Sequence, residues 1–105
     1  MKSSQVIKIA QRYIDQVRKD GVQVSAAYLY GSYAKGTSRG DSDIDVCVIS
    51  SQFGRDTISE IVRLSKVAHK VDDFIEPYPM NPEELNEKYN PLAHEIRTHG
   101  IRLSI

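Results

Sequence analysis

Apolar residues recur over the first twenty positions at the spacing of an amphipathic helix. The residues that share or border this stripe are Val6, Ile7, Ala10, Tyr13, Ile14 and Val17. A stripe that repeats every three to four residues predicts a helix over residues 3–20 with one buried face. Ser3 or Ser4 can cap its start, and Gly21 follows as a stop signal.

Three later segments lack a helical stripe and read as strands. Residues 22–30, VQVSAAYLY, are rich in β-branched and aromatic side chains, which favours a mostly buried strand. Residues 43–50 predict a second strand, whose side chains alternate between two faces. One face carries Ile44, Val46 and Val48, and the other carries Asp43, Asp45 and Cys47. Residues 71–78, VDDFIEPY, predict a third strand that Pro77 and Pro79 cut short.

The remaining segments predict helices. Residues 57–69 open with a capping box and predict a second long helix. Its predicted buried face consists of Ile58, Ile61, Val62, Ser65 and Ala68. Two further helix starts are indicated by Asn-Pro pairs, at residues 81–82 and 90–91. The last helix is expected to end at Gly100, and residues 101–105 predict a short edge strand. The order of elements predicts a small α/β domain with a mixed sheet and helices packed against it.

Length and composition narrow the classes of function. The chain has 105 residues, so a single domain spanning 1–105 is expected. Lys and Arg total 14, as do Asp and Glu, so no net field draws the protein to nucleic acid or to a membrane. The single cysteine, Cys47, excludes an internal disulfide. Together with a polar N-terminus that lacks a signal peptide, it favours a cytoplasmic protein.

Two carboxylates stand one residue apart at the start of the second predicted strand. Asp43 and Asp45 should point to the same side, roughly 6.5–7 Å apart along the backbone. Burying a charge costs free energy unless a partner compensates it. Hard oxygen ligands on one face suit Mg²⁺, as one ion or as a two-ion site. The alternative is that both aspartates are solvated and cap the turn at residues 39–42.

A turn of small residues, Gly31-Ser32, ends the first predicted strand. Glycine lets a phosphate approach the backbone closely, and the Ser32 hydroxyl joins the free amide groups of a helical turn over residues 32–35. This pattern favours an anion site, but Gly-Ser after a strand is by itself more often a simple turn. It is not a P-loop, because Thr37 stands where the phosphate-binding lysine would be.

Together these features resemble a known family. The stretch GSYAKGTSRGDSDIDVCV joins Gly-Ser through the spacer 33–42 to Asp-Ile-Asp-Val. It is similar to the nucleotidyltransferase signature of the DNA polymerase beta superfamily, of the minimal nucleotidyltransferase type. The resemblance extends over the whole chain and implies a small polymerase-beta-like fold. It implies that Gly31 and Ser32 bind the ATP phosphates, and Ser42 also fits its pattern. Lys35 and Arg39 lie in the loop, where they could contact phosphate oxygens, but solvated loop charges are the favoured interpretation of both.

The resemblance also implies the metal-binding and catalytic residues. Asp43 and Asp45 would bind Mg²⁺, with two ions expected. Such proteins use a third carboxylate, on the next strand, as metal ligand and general base. We favour Glu76, which follows two apolar residues and lies further within the predicted strand than Asp72 or Asp73. Asp72, on the same strand face as Glu76, is the alternative.

Small standalone proteins of this type resemble the antitoxin of toxin–antitoxin pairs. The usual partner is an all-helical HEPN-domain ribonuclease, and the implied activity is transfer of AMP from ATP to a tyrosine of that toxin. Two alternatives stay open. The first is a binding module that neutralises its partner without catalysis. The second is a small-molecule transferase, which would need a second lobe or a homodimer to complete its cleft. The prolines and aromatics of residues 77–92 predict the docking surface.

Overall fold

The computed structural model describes residues 2–105, and its elements follow the order that the sequence predicts. They are α1 (Ser3–Lys19), β1 (Ala26–Tyr30), α2 (Ser32–Lys35), β2 (Ile44–Ile49), α3 (Thr57–Val71), β3 (Ile75–Met80), α4 (Pro82–Leu85), α5 (Pro91–His99) and β4 (Ile101–Arg102). Within residues 2–105, no helix is both long enough and apolar enough to cross a membrane.

The strands form one mixed sheet in the order β3-β2-β1-β4. β1 runs antiparallel to β2 and β4, whereas β2 and β3 run parallel. A parallel pair needs a crossover connection, and α3 supplies it. The structure therefore confirms the predicted small α/β fold with a mixed sheet, and also the predicted edge strand near the C-terminus.

The main core lies between the sheet and helices α1 and α3. The predicted stripe of α1 is confirmed by its buried residues, which are Val6, Ala10, Tyr13, Ile14 and Val17. Val46 and Val48 of β2 face this core, as the alternation predicts. The Tyr13 hydroxyl donates a 2.9 Å hydrogen bond to the carbonyl oxygen of Leu64, so a satisfied polar contact ties α1 to α3 inside the core.

A second, smaller cluster lies on the other side of the sheet, where α5 packs. Its buried members are Ala26, Cys47, Ile49, Met80, Ala93 and Ile96. Residues two apart on a strand share a face, so Asp45 projects toward the same side as Cys47. The sheet is thus apolar on both faces at its centre, and Asp45 lies near the start of β2 on this second side.

The first strand is shorter than the sequence predicts. β1 begins at Ala26 rather than at residue 22, and residues 22–25 connect it to the end of α1. The Gln23 amide donates to the side chain of Gln52 at 3.1 Å instead of to a neighbouring strand. Val22 is buried in the main core, so its β-branched side chain reflects packing and not pairing.

The third strand lies later in the chain than predicted, and its prolines do not cut it short. β3 spans Ile75–Met80, whereas the sequence predicts 71–78, because α3 continues as far as Val71. Pro77 and Pro79 both lie inside β3. The interpretation of the two prolines as the end of the strand is therefore wrong.

The edge position of β3 explains why it tolerates two prolines. At either end, the carbonyl oxygens of Phe74 and Met80 accept hydrogen bonds from the chain of β2 and its next residue. Backbone groups of a strand alternate between its two sides, so Pro77 and Pro79 direct their nitrogens toward the open edge. A missing N–H there breaks no ladder hydrogen bond, and it discourages pairing with a further strand.

The buried face of α3 differs from the predicted one. Ile58 is 77% exposed and Val62 is 47% exposed. The buried residues are Leu64, Val67 and Ala68. α3 carries apolar residues on two overlapping stripes, and packing against β3 and α1 selects the one that includes Leu64.

Candidate active site

The turn that ends β1 brings the backbone against a carboxylate. Gly31 has a φ of 73° and a ψ of −149°, a conformation that is essentially restricted to glycine. A Cβ at this position would collide with a carboxylate oxygen of Asp45 on β2. Position 31 therefore requires glycine for two reasons: the backbone conformation of the turn into α2, and the close approach of the Asp45 carboxylate.

The candidate carboxylates lie together across β2 and β3. In the sheet, Asp45 pairs with Tyr30 of β1 on one side and with Glu76 of β3 on the other. Paired residues in neighbouring strands project to the same face, so Asp45 and Glu76 share the side that α5 covers. Asp43 stands one residue before β2 and two before Asp45. The structure thus brings together the three acids that the sequence analysis selected.

The electrostatics of this cluster are unfavourable to a further negative charge. Asp43 and Glu76 are exposed, whereas Asp45 is half-buried. Burial raises the pKa of Asp45 to about 6, and the negative charges of Asp43, Glu76 and Glu95 contribute to the rise. Like charges that crowd in this way favour binding of a proton or a cation.

The donor set fits Mg²⁺. Carboxylate oxygens are its preferred protein ligands, and the ion is usually held by one or two carboxylates together with substrate phosphates. Among residues 2–105, no three His, Cys, Asp or Glu side chains are grouped so that they could hold a metal ion. Asp43 and Glu76 lie close enough to Asp45 for their charges to raise its pKa, so the three carboxylates are neighbours. The space that a Cβ of Gly31 would fill is taken by the Asp45 carboxylate.

The other predicted ATP-binding residues have different surroundings. Ser32 begins α2 and is half-buried directly after Gly31. The Ser42 hydroxyl accepts a 2.7 Å hydrogen bond from the Arg39 amide, and the Ser42 amide donates to the Arg39 carbonyl oxygen at 3.1 Å. Ser42 therefore closes the turn at residues 39–42. The sequence analysis considered this capping role for Asp43 and Asp45. Lys35 ends α2.

Glu95 of α5 belongs to the same cluster, and the sequence analysis did not select it. Its Oε1 lies 2.6 Å from Nζ of Lys35, and its charge acts on Asp45 and Tyr30. Glu95 stands in no spacing relation to the Gly-Ser or Asp-x-Asp motifs. The signal that could have identified Glu95 is its position between Ala93 and Ile96, which are buried on a helix that covers the sheet.

The two alternative acids on the approach to β3 have other partners. The Asp72 carboxylate accepts a 2.8 Å hydrogen bond from the Phe74 amide, in the turn that follows α3. Asp73 lies 3.3 Å from Nδ1 of His69, and its side chain is 87% exposed. Glu76, by contrast, lies in register with Asp45.

The chain is similar to known nucleotidyltransferases. The family model described as "Polymerase beta, Nucleotidyltransferase" matches residues 7–104. No curated protein matches the chain. A structure from Sulfolobus solfataricus, named as a nucleotidyltransferase, shares 17% identity over 78% of this chain and 72% of its own, with a TM-score of 0.66. At that identity the likeness shows the fold alone.

Two further solved structures are toxin–antitoxin complexes. A toxin–antitoxin with AMP-PNP has a chain that shares 26% identity with this one, covering 90% of this chain and 72% of its own, with a TM-score of 0.65. A mutant of the toxin–antitoxin MntA–HpeT shares 26% identity over 89% of this chain and 69% of its own, with a TM-score of 0.64.

Proposed function

The chain belongs to the polymerase beta nucleotidyltransferase family, and from this premise we propose that it transfers AMP from ATP to a tyrosine hydroxyl of a helical HEPN-type toxin, acting as its antitoxin. The observation that carries the proposal is the contact of Gly31 with the carboxylate row, a name used here for Asp43, Asp45 and Glu76. The Gly31 backbone lies directly against the Asp45 carboxylate, and Asp45 is in register with Glu76. This arrangement suits a donor triphosphate and a divalent cation at one point.

The nucleotide would bind at the turn between β1 and α2. Gly31 presents no side chain there, and the first amide groups of a helix have no acceptor within the helix. The Ser32 hydroxyl and the Lys35 ammonium would add donors to the phosphates. Asp43 and Asp45 would hold Mg²⁺, with Glu76 as a third ligand. When bound, the metal supplies positive charge to the phosphate oxygens.

The exposed carboxylate of Glu76 is the group that we assign to the attacking hydroxyl. It would take the proton of the tyrosine hydroxyl as the phenolic oxygen attacks the α-phosphorus. The bond from the α-phosphorus to the bridging oxygen breaks, and pyrophosphate leaves with that oxygen. AMP is then bonded through its phosphorus to the phenolic oxygen of the acceptor. Positioning and charge neutralisation would provide most of the rate, because the protein forms no covalent bond of its own.

The partner is inferred from the relatives and from the openness of the site. The chains that resemble this one at 26% identity belong to toxin–antitoxin complexes, one of them with the ATP analogue AMP-PNP. Three clefts on the described surface are lined by no carboxylate of the site. An open site of this kind would depend on the acceptor for enclosure, which a folded protein can supply. A cytoplasmic location is part of the proposal.

The segment 77–92 is where we propose that the partner docks. Met80 is buried, and Tyr78 and Leu92 are half-buried in the second cluster, so these side chains serve packing. Tyr89 is 86% exposed, and the Lys88 ammonium lies 5.5 Å from its ring centre. Tyr89 is thus the aromatic group that this segment offers to a partner.

Radiolabel position tests the reaction class. The chain and its candidate toxin are incubated with Mg²⁺ and ATP labelled at the α-phosphate or, in parallel, at the γ-phosphate. Adenylyl transfer labels the toxin only from the α-position, and the Asp43→Asn and Asp45→Asn variants should lose this label while remaining folded. Label from the γ-position would indicate phosphoryl transfer instead. Equal labelling by both variants and by the wild type would contradict the catalytic role of the carboxylate row.

A further inference from the structure

An ion pair joins two helices beside the carboxylate row. Nζ of Lys35 on α2 lies 2.6 Å from Oε1 of Glu95 on α5. The Lys35 amide donates a 3.1 Å hydrogen bond to the Gly31 carbonyl oxygen. The base of the lysine side chain is thereby fixed to the turn at Gly31, and its far end is fixed to α5.

We propose that Glu95 is a positioning residue that holds the Lys35 ammonium at the nucleotide phosphates. This inference rests on the proposed function, because it names a role within the same nucleotide site. A lysine has a flexible four-carbon stem, and without a partner its ammonium samples many positions. The ammonium has three donors, so contact with Glu95 leaves others for phosphate oxygens.

The exposure of the pair fits such a shared contact. The side chains of Lys35 and Glu95 are 39% and 30% exposed. A partly exposed ion pair contributes little to the stability of the fold. It still restricts where the ammonium lies, and it leaves the ammonium open to a ligand from the solvent side. A role in orientation therefore accounts for the pair better than a role in stability.

Charge and position predict opposite effects for loss of Glu95. The site already contains the carboxylates of Asp43, Asp45 and Glu76, and a triphosphate is an anion. If Glu95 acted only through its charge, its removal would lower the repulsion and tighten nucleotide binding. If Glu95 orients Lys35, its removal frees the ammonium and weakens nucleotide binding. The sign of the change therefore separates the two roles.

The experiment measures the dissociation constant of AMP-PNP in the presence of Mg²⁺ by calorimetry. Glu95→Gln keeps the shape of the side chain and removes its charge. We expect it to weaken binding about tenfold, the size of one lost charge-assisted hydrogen bond. Lys35→Gln should weaken binding similarly. In the double variant, loss of Glu95 should add little to the loss of Lys35, because the first acts through the second.

Asp15→Asn is the control, since it removes an exposed acid of α1, on the opposite side of the sheet from α5. It should leave the affinity unchanged. Thermal unfolding without nucleotide should show similar stability for all variants. If Glu95→Gln does not fold, Glu95→Asp replaces it, because the shorter side chain keeps the charge and withdraws it from Lys35. The expected weakening is the same.

The outcomes separate this inference from the proposed function. A wild-type chain that binds no AMP-PNP overturns the proposed function and this inference with it. Wild-type binding together with unchanged or tighter binding by Glu95→Gln overturns the role of Glu95 alone. Equal weakening by Glu95→Gln with and without Lys35 also overturns it, because the effect would then not pass through the lysine.

Discussion

At the scale of single residues, the account depends on how Gly31 and Asp45 fit together. The glycine conformation and the carboxylate beside it are linked, because a side chain at position 31 would occupy the place of the Asp45 oxygen. The motif read from the sequence as Gly-Ser plus Asp-x-Asp is therefore one contact in space. A substitution at either Gly31 or Asp45 should therefore disturb the other residue as well.

Gly31→Ala tests this contact against a matched glycine. Gly36 also has a positive φ, of 75°, but a Cβ there meets no atom within 4 Å. Gly36→Ala should therefore cost only the conformational strain, about 1–2 kcal/mol in the free energy of unfolding. Gly31→Ala should cost clearly more, since it adds the collision with Asp45. Chemical denaturation measures both values, and equal costs would contradict the contact.

The raised pKa of Asp45 predicts a stability that depends on pH. Folding raises this pKa to about 6, so the folded state binds the proton more tightly than the unfolded state. The resulting stabilisation is complete below the unfolded pKa and is lost as pH rises through the folded pKa. With EDTA at neutral pH, Asp45→Asn should therefore be more stable than wild type, by about 1 kcal/mol after allowance for solvent screening.

Thermal unfolding at two pH values checks this prediction. A gain of about 1 kcal/mol corresponds to about 4–8 °C in Tm for a domain of this size. The gain should shrink as pH falls through 6 and vanish near pH 3, below the unfolded pKa of 3.8, where both states carry a protonated Asp45. Asp41→Asn, which changes an exposed loop acid, is the control and should show no gain. A variant that is less stable than wild type at neutral pH would contradict the assignment.

The third carboxylate can be identified by comparing three isosteric changes. Glu76→Gln should lower the rate of AMP transfer on the order of 10²-fold, as expected for loss of a general base. Asp73→Asn should change it little, since Asp73 pairs with His69 at an exposed position. Asp72→Asn should affect stability more than rate, because Asp72 holds the Phe74 amide. An inactive Asp72→Asn with an active Glu76→Gln would reverse the assignment.

At the scale of elements, the sequence predicted the order and type of the helices and strands, because local patterns determine them. The buried stripe of α1 and the alternation of side chains between the two faces of β2 follow from the local order of residues, and both are confirmed. The buried face of α3 and the extent of β3 depend on neighbours far along the chain. Two prolines look like a strand end until the sheet shows that β3 lies at its edge.

The candidate site shows the same division. Gly31, Asp43 and Asp45 lie in one continuous motif, so the sequence could select them. Glu76 was selected because the family resemblance implies a third carboxylate on the next strand, and because Glu76 lies further within that strand than Asp72 or Asp73. Glu95 reaches the site only through the packing of α5 on the sheet. No local pattern contains that information.

The observed face of α3 gives a prediction for stability. Ile58→Lys and Val62→Lys change exposed positions, so each should alter the free energy of unfolding by no more than about 0.5 kcal/mol. Leu64→Ala empties a fully buried position and should cost about 2–5 kcal/mol. Denaturant titration compares the three. A large loss from the two lysine variants would restore the face that the sequence predicted.

At the scale of the whole molecule, the proposed nucleotide site lies on an exposed part of the described surface. Asp43, Asp45, Glu76 and the turn at Gly31 lie at the end of the sheet, and none of them lines the three clefts described above. A partner protein would supply both the acceptor hydroxyl and the surface that excludes water. Catalysis and complex formation would then be two aspects of one encounter.

The most direct test of this account is the intact mass of the partner. The candidate toxin is incubated with the chain, ATP and Mg²⁺, and is then measured by mass spectrometry. We predict a gain of one or more AMP units on a tyrosine, absent with Asp43→Asn, which should still bind the partner. Tight binding with no change in mass under any divalent metal would contradict the account and indicate a binding module without catalysis.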